Sequence, residues 1–123
     1  MTYVEFAREM NSFRLNEIKE ATLAKEMNLV WINLHKMYSR FDGNERTMAD
    51  RVIGEWLQSE DPTVRGDAQY LISKCHIKAA DKGLLELACR LVEIVNPTII
   101  VRHELEHVQR ILARIRDHQG ASA

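Results

Sequence analysis

Both prolines of this chain stand directly behind a helix-capping residue, as Asp61-Pro62 and Asn96-Pro97. An Asp or Asn side-chain oxygen satisfies free backbone N–H groups in a first helical turn, and a proline there gives up no hydrogen bond. The two dipeptides therefore predict two helix starts and forbid a helix from running through either point. After Asp61-Pro62, an apolar stripe of Val64, Ala68, Leu71 and Cys75 follows helical spacing. Before it, Met48, Val52, Ile53, Trp56 and Leu57 make a matching stripe. A connection this short turns the two helices roughly antiparallel. The pattern repeats around Asn96-Pro97. Leu84, Leu87, Ala88, Leu91 and Val95 precede it, and Ile100, Val101, Leu105, Val108, Leu112 and Ile115 follow.

The rest of the chain is helical as well. Thr2 can cap a helix beginning at Tyr3, and Asn11-Ser12 predicts an interruption. From Phe13 to Phe41 the apolar positions Met27, Val30, Trp31, Leu34, Met37, Tyr38 and Phe41 form the widest face in the chain, with a break expected between Thr22 and Asn28. Asp42-Gly43-Asn44 reads as a loop, with Gly43 in a left-handed helix stop and Asn44 as the next cap. Asp81 is the candidate cap after a short connection at Lys78–Lys82. No alternating strand pattern or glycine-rich phosphate loop occurs. The expectation is a single all-α domain of five to six helices: an N-terminal helix or helix pair over residues 1–42, hairpins over 44–77 and 80–118, and a frayed polar tail over 119–123.

Trp56 to Ile72, with its Asp61-Pro62 turn, Val64-Arg65 opening the next helix, and Ala68 three residues later, resembles a HEAT-like helical repeat. The likeness covers residues 44–77 closely and 80–117 loosely. It implies stacked antiparallel hairpins in a short array. It also implies that Asp61 and Arg65 take the turn-Asp and helix-Arg roles that bond between neighbouring repeats. In the second hairpin Ile100 occupies the arginine position.

At 123 residues the chain can bury a real core, and 46% hydrophobic residues suit a globular protein. A formal charge of −1 argues neither for bulk nucleic-acid binding nor for an acidic-tail protein. Cys75 and Cys89 are expected as free thiols, Cys75 within an apolar stripe. No apolar run reaches the roughly 20 residues of a bilayer span, and the N-terminus lacks a basic region followed by an apolar block. The simplest compartment is a reducing cytoplasm.

His103-Glu104-Leu105-Glu106-His107 matches the His-Glu-x-x-His pattern. Two histidines four apart share a helix face and can bind zinc, and the adjacent Glu can act as base on bound water. The segment resembles zinc-dependent peptidases over five residues, and it departs from them. Glu106 is charged where an uncharged residue is expected, and Arg110 and Ala113 replace the Gly and third His of the metzincin extension. No Glu follows the motif, and His118 is the one later histidine. Both histidines fall at the edge of the apolar arc of their helix. The residues therefore favour a structural role, with a zinc hydrolase using His103, His107 and Glu104 as the alternative.

Arg102, Arg110, Arg114 and Arg116 are interleaved with Glu104, Glu106 and Asp117, which reads as a solvated face rather than a nucleic-acid surface. Trp31, Tyr38 and Phe41 read as core, with surplus apolar surface on their helix for a partner or a second copy. Glu45, Asp50, Glu55, Glu60, Asp61 and Asp67, interrupted by Arg46, Arg51 and Arg65, suggest an acidic surface facing a basic partner. The function expected from these features is non-catalytic and needs no cofactor. It is that of a small protein-binding module, by analogy with bacterial immunity or antitoxin proteins that cap a toxin, with Asp50, Glu55, Glu60, Asp61 and Asp67 at the interface.

Overall fold

The computed structural model describes the backbone of residues 1–121 and the side chains of residues 1–117. It contains six helices and no strand among the described residues: α1 (Tyr3–Ala24), α2 (Asn28–Ser39), α3 (Gly43–Leu57), α4 (Pro62–Cys75), α5 (Asp81–Val92) and α6 (Ile99–Ala121). A single 3-10 turn, Lys78–Ala80, leads into α5. The all-α expectation holds. The chain divides into two compact units, Met1–Glu55 and Trp56–Ala123, with the last two residues of α3 belonging to the second.

In the first unit, Thr2 accepts a hydrogen bond from the Glu5 N–H and caps α1 as expected. The helix then runs straight through Asn11-Ser12, where an interruption was expected. The Asn11 amide folds back to the Ala7 carbonyl at 2.9 Å, so a residue able to cap a new helix is absorbed by the existing one. The break comes at 25–27. Lys25 is left-handed with φ 56°, and its N–H closes on the carbonyls of Ala21 and Thr22. The N-terminal region is thus a helix pair, with α1 packed against α2.

Gly43 does not take a left-handed conformation, and Asn44 is not the cap of α3. The Asp42 carboxylate accepts from the Glu45 N–H at 2.8 Å while the Glu45 carboxylate accepts from the Asp42 N–H at 3.0 Å. This reciprocal capping box starts the helix two residues earlier than an Asn44 cap would. The core of the unit takes Phe6, Met10, Ala21, Val30, Leu34, Tyr38, Ala49, Val52 and Ile53. The rings of Phe6 and Phe41 meet at 5.1 Å between centroids. Trp31, expected in this core, is 42% exposed because Val30, Leu34 and Tyr38 already define the inward face of α2.

In the second unit, Asp61 caps α4 with Pro62 at its first position, and the Thr63 N–H donates to Asp61 Oδ1 at 2.9 Å. Its echo behaves differently. Asn96 is left-handed with φ 56°, and α6 begins at Ile99 under Thr98, whose hydroxyl accepts from the Val101 N–H. The cap has moved two residues past the position that Asn96 would occupy. Asp81 likewise is the first residue of α5 rather than its cap.

The connection over residues 93–98 returns α6 alongside α5, and α6 also packs on α4. Leu57, Ala68, Leu71, Ile72, Ile77, Leu84, Leu87, Leu91, Val108, Ile111, Leu112 and Ile115 are buried. Gly83 lets the end of α3 approach closely, since a Cβ there would lie 3.3 Å from Leu57 Cδ2. Gln58 uses that approach, donating to the Gly83 carbonyl at 2.9 Å and accepting from Arg90 at 2.8 Å. Cys75 is half-buried and Cys89 exposed, and neither forms a disulfide. The helix α6 continues to Ala121, into the segment expected to fray. Residues 122 and 123 lie outside the described residues. No helix among the described residues is long and apolar enough to cross a membrane.

Candidate functional site

The His-Glu-x-x-His segment lies on α6, on the side that meets α4. Helical spacing brings two polar pairs together there: Arg65 and Gln69, four apart on α4, and Glu104 and His107, three apart on α6. Arg65 Nε and Nη2 each lie 2.8 Å from a different oxygen of Glu104. Gln69 Nε2 donates to Glu104 Oε2 at 2.8 Å, and Gln69 Oε1 lies 2.8 Å from His107 Nδ1. The remaining guanidinium nitrogen, Nη1, donates to the carbonyls of Ser59 and Glu60 in the α3–α4 turn. Arg65 thus ties the turn before α4 to the middle of α6.

The chemistry of the partners sets every orientation in this row. A guanidinium only donates and a carboxylate only accepts, so Gln69 must turn its NH2 toward Glu104 and its oxygen toward His107. His107 must then carry a proton on Nδ1, which in the neutral ring leaves Nε2 as the acceptor. Burial by itself would raise the Glu104 carboxyl, but hydrogen bonds from Arg65 and Gln69 and the nearby Arg65 charge hold it below its ordinary value. The hydrogen bond to Glu104 raises Arg65 against the opposing effect of burial. Burial, followed by repulsion from Arg110 and Arg114, lowers His107, with Glu104 acting in the opposite direction. At neutral pH the row is therefore an ion pair extended by a neutral amide and a neutral imidazole.

This geometry takes Glu104 away from base chemistry. Both of its oxygens are engaged, and its depressed pKa weakens it as a proton acceptor. His103 is exposed one turn before His107, and no group of three or more His, Cys, Asp or Glu fit to hold a metal occurs among the described residues. The side chain of His118 lies outside the described residues. Arg65, which the repeat likeness assigned to a turn aspartate, forms its side-chain salt bridge with Glu104, while Asp61 spends its carboxylate on the Thr63 N–H.

The acidic residues expected at an interface meet separate fates. In the first unit, Asp50 is half-buried and accepts from the Tyr38 hydroxyl at 2.7 Å, while exposed Glu55 accepts from the Tyr3 hydroxyl at 2.7 Å. Tyr3 also lies against the Arg51 guanidinium, 3.8 Å from the ring centroid. Burial, then the Glu55 hydrogen bond and charge, push its phenol up to about 12, with Arg51 opposing. In the second unit, Glu60 and Asp61 are exposed. Asp67 is only 4% exposed and is withdrawn from the acidic surface. The reason is its position: it falls between Val64 and Leu71 on the buried stripe of α4, where an i+3 residue faces inward.

A different surface feature was missed by reading the stripes as uniformly buried. At the α5–α6 connection, Val92, Ile94, Val95, Ile99 and Ile100 are all exposed, Val95 at 83% and Ile100 at 75%. Val95 and Ile100 had been placed on packing faces. The early end of α5 and the late start of α6 carry both into the connecting segment or the first turn, beyond the reach of the helix pair.

Comparisons with protein-family models, with curated proteins and with solved structures give no match to this chain.

Proposed function

We propose that this chain is a non-catalytic protein-binding module that docks through the aliphatic tip of its α5–α6 hairpin. The exposure of Val92, Ile94, Val95, Ile99 and Ile100 within one connection carries the reading. Aliphatic side chains gathered on one exposed tip are costly in water, and such patches mark sites of association. The polar row on α6 supports the same reading from the other side. It spends the carboxylate of the one catalytic-looking motif on holding α4 and α6 together.

The specific form we propose is an immunity-type cap on a toxin-like partner, built on HEAT-like hairpins. The tip would supply the buried anchors, and exposed Glu60 and Asp61 would steer a basic surface toward the module.

A photo-crosslinking residue placed at Val95 tests the docking surface in cells that express the protein. One discrete protein adduct is expected at this position and none at exposed Leu15, a control in the first unit. The adduct should vanish in a Val95→Asp/Ile100→Asp variant whose thermal unfolding is unchanged. Equal adducts at both positions, or none at Val95, would remove the tip as a docking surface.

A further inference from the structure

The second unit holds a groove of about 430 Å³ between the C-terminal end of α4, the 3-10 turn and the C-terminal half of α6. Its floor is aliphatic, made by the buried side chains of Ile72, Ile111 and Ile115. Its rim is polar, and among the described residues it carries Lys78, Arg114 and one carboxylate, Asp117. Among the described residues, no side-chain hydrogen bond or salt bridge engages the Lys78 ammonium or the Arg114 guanidinium. The groove is large enough for a small ligand. It does not involve the α5–α6 tip.

His76 also lines the rim. It ends α4 in the left-handed conformation, with φ 54°, a position that glycine fills at lower cost.

We propose that this groove binds a small carboxylate with an aliphatic tail. The tail lies on Ile72, Ile111 and Ile115, and the carboxylate meets Lys78 and Arg114. Arginine offers the fork that matches a carboxylate, and lysine adds a point charge. The described lining has an aliphatic floor and no aromatic ring, which favours a flexible hydrocarbon over a stacked ring. The charges of the described rim, Lys78 and Arg114 against Asp117, favour an anionic head over a neutral one.

The test titrates the full chain with octanoate, octan-1-ol and acetate, following the isoleucine methyl resonances. Octanoate should shift Ile72, Ile111 and Ile115 and saturate at one molecule per chain. Octan-1-ol, which lacks the charge, and acetate, which lacks the tail, should each bind about tenfold more weakly or worse. Raising the salt concentration should weaken octanoate and leave octan-1-ol unchanged, a readout that needs no variant. Lys78→Gln with Arg114→Gln should reproduce that loss. Octan-1-ol binding as tightly as octanoate, shifts confined to other isoleucines, or no saturable shift with octanoate would each overturn the proposal.

Discussion

Arg65 and Glu104 meet side-on, with Nε and Nη2 of the guanidinium each 2.8 Å from a separate carboxylate oxygen. Only 14% and 13% of the two side chains is exposed, so either residue alone would be a largely buried charge. Glu104→Gln should therefore cost about 2 kcal/mol in urea unfolding, the scale of lost hydrogen bonds to a charged group, and less than breaking a fully buried pair because both side chains keep some exposure. Arg65→Met alone should cost a similar amount, and the double variant should recover part of the sum. Strict additivity in that cycle would show that the two groups are not coupled.

Acid should weaken the second unit in two stages of the same sign. The folded-state pKa of His107 lies below its ordinary 6.5, so folding favours the neutral ring. That contribution is full above 6.5 and is lost as pH falls from there through the folded pKa. Glu104 is also held below its ordinary 4.5, so its contribution is present above 4.5 and is lost at lower pH still. The urea midpoint should decline first below pH 6.5 and again below pH 4.5. His107→Gln should remove only the upper decline. A midpoint that stays flat from pH 7 to pH 5 would contradict this assignment of the imidazole.

The two proline turns should respond differently to capping variants. Asp61→Ala and Thr98→Ala should each cost about 1 kcal/mol, the usual price of a lost side-chain cap. Asn96→Ala should cost about 1 kcal/mol, because alanine lacks the short polar side chain that lets asparagine hold a left-handed backbone, whereas Asn96→Gly should cost nothing. Loss on Asn96→Gly together with tolerance of Thr98→Ala would return the cap to Asn96.

Much of the fold follows from local chemistry. Thr2, the Asp61-Pro62 turn and the break after Ala24 act through neighbours a few residues away, and periodicity finds them. The second turn misled because Asn serves equally as a helix cap and as a left-handed residue, and Thr98 stands ready two positions later. The polar row was hidden for another reason. Arg65 and Glu104 are 39 positions apart, and each looked complete within its own motif, one as a repeat arginine and the other as a metallopeptidase base. Gln69 belonged to no motif at all. The available signal was geometric: polar pairs with helical spacing on two helices that both carry apolar stripes.

Zinc offers a direct check on the other use of the motif. Saturating zinc should leave the melting temperature unchanged, and His103→Ala, at an exposed position, should alter stability by less than about 0.5 kcal/mol. Zinc retained at one ion per chain and lost on His103→Ala would restore the hydrolase reading.

The carboxylate at position 104 also settles a question of symmetry. An amide and an imidazole side by side can be wired in either sense, and the two arrangements differ little in energy. Glu104 breaks that degeneracy, because it can accept hydrogen bonds from Gln69 but cannot donate one. In Glu104→Gln a second amide would meet the first, and either sense would serve. The His107 proton would then be shared between Nδ1 and Nε2, visible as averaged ring-nitrogen shifts where the native chain has two distinct ones. One negative charge thus sets the direction of a proton two side chains away.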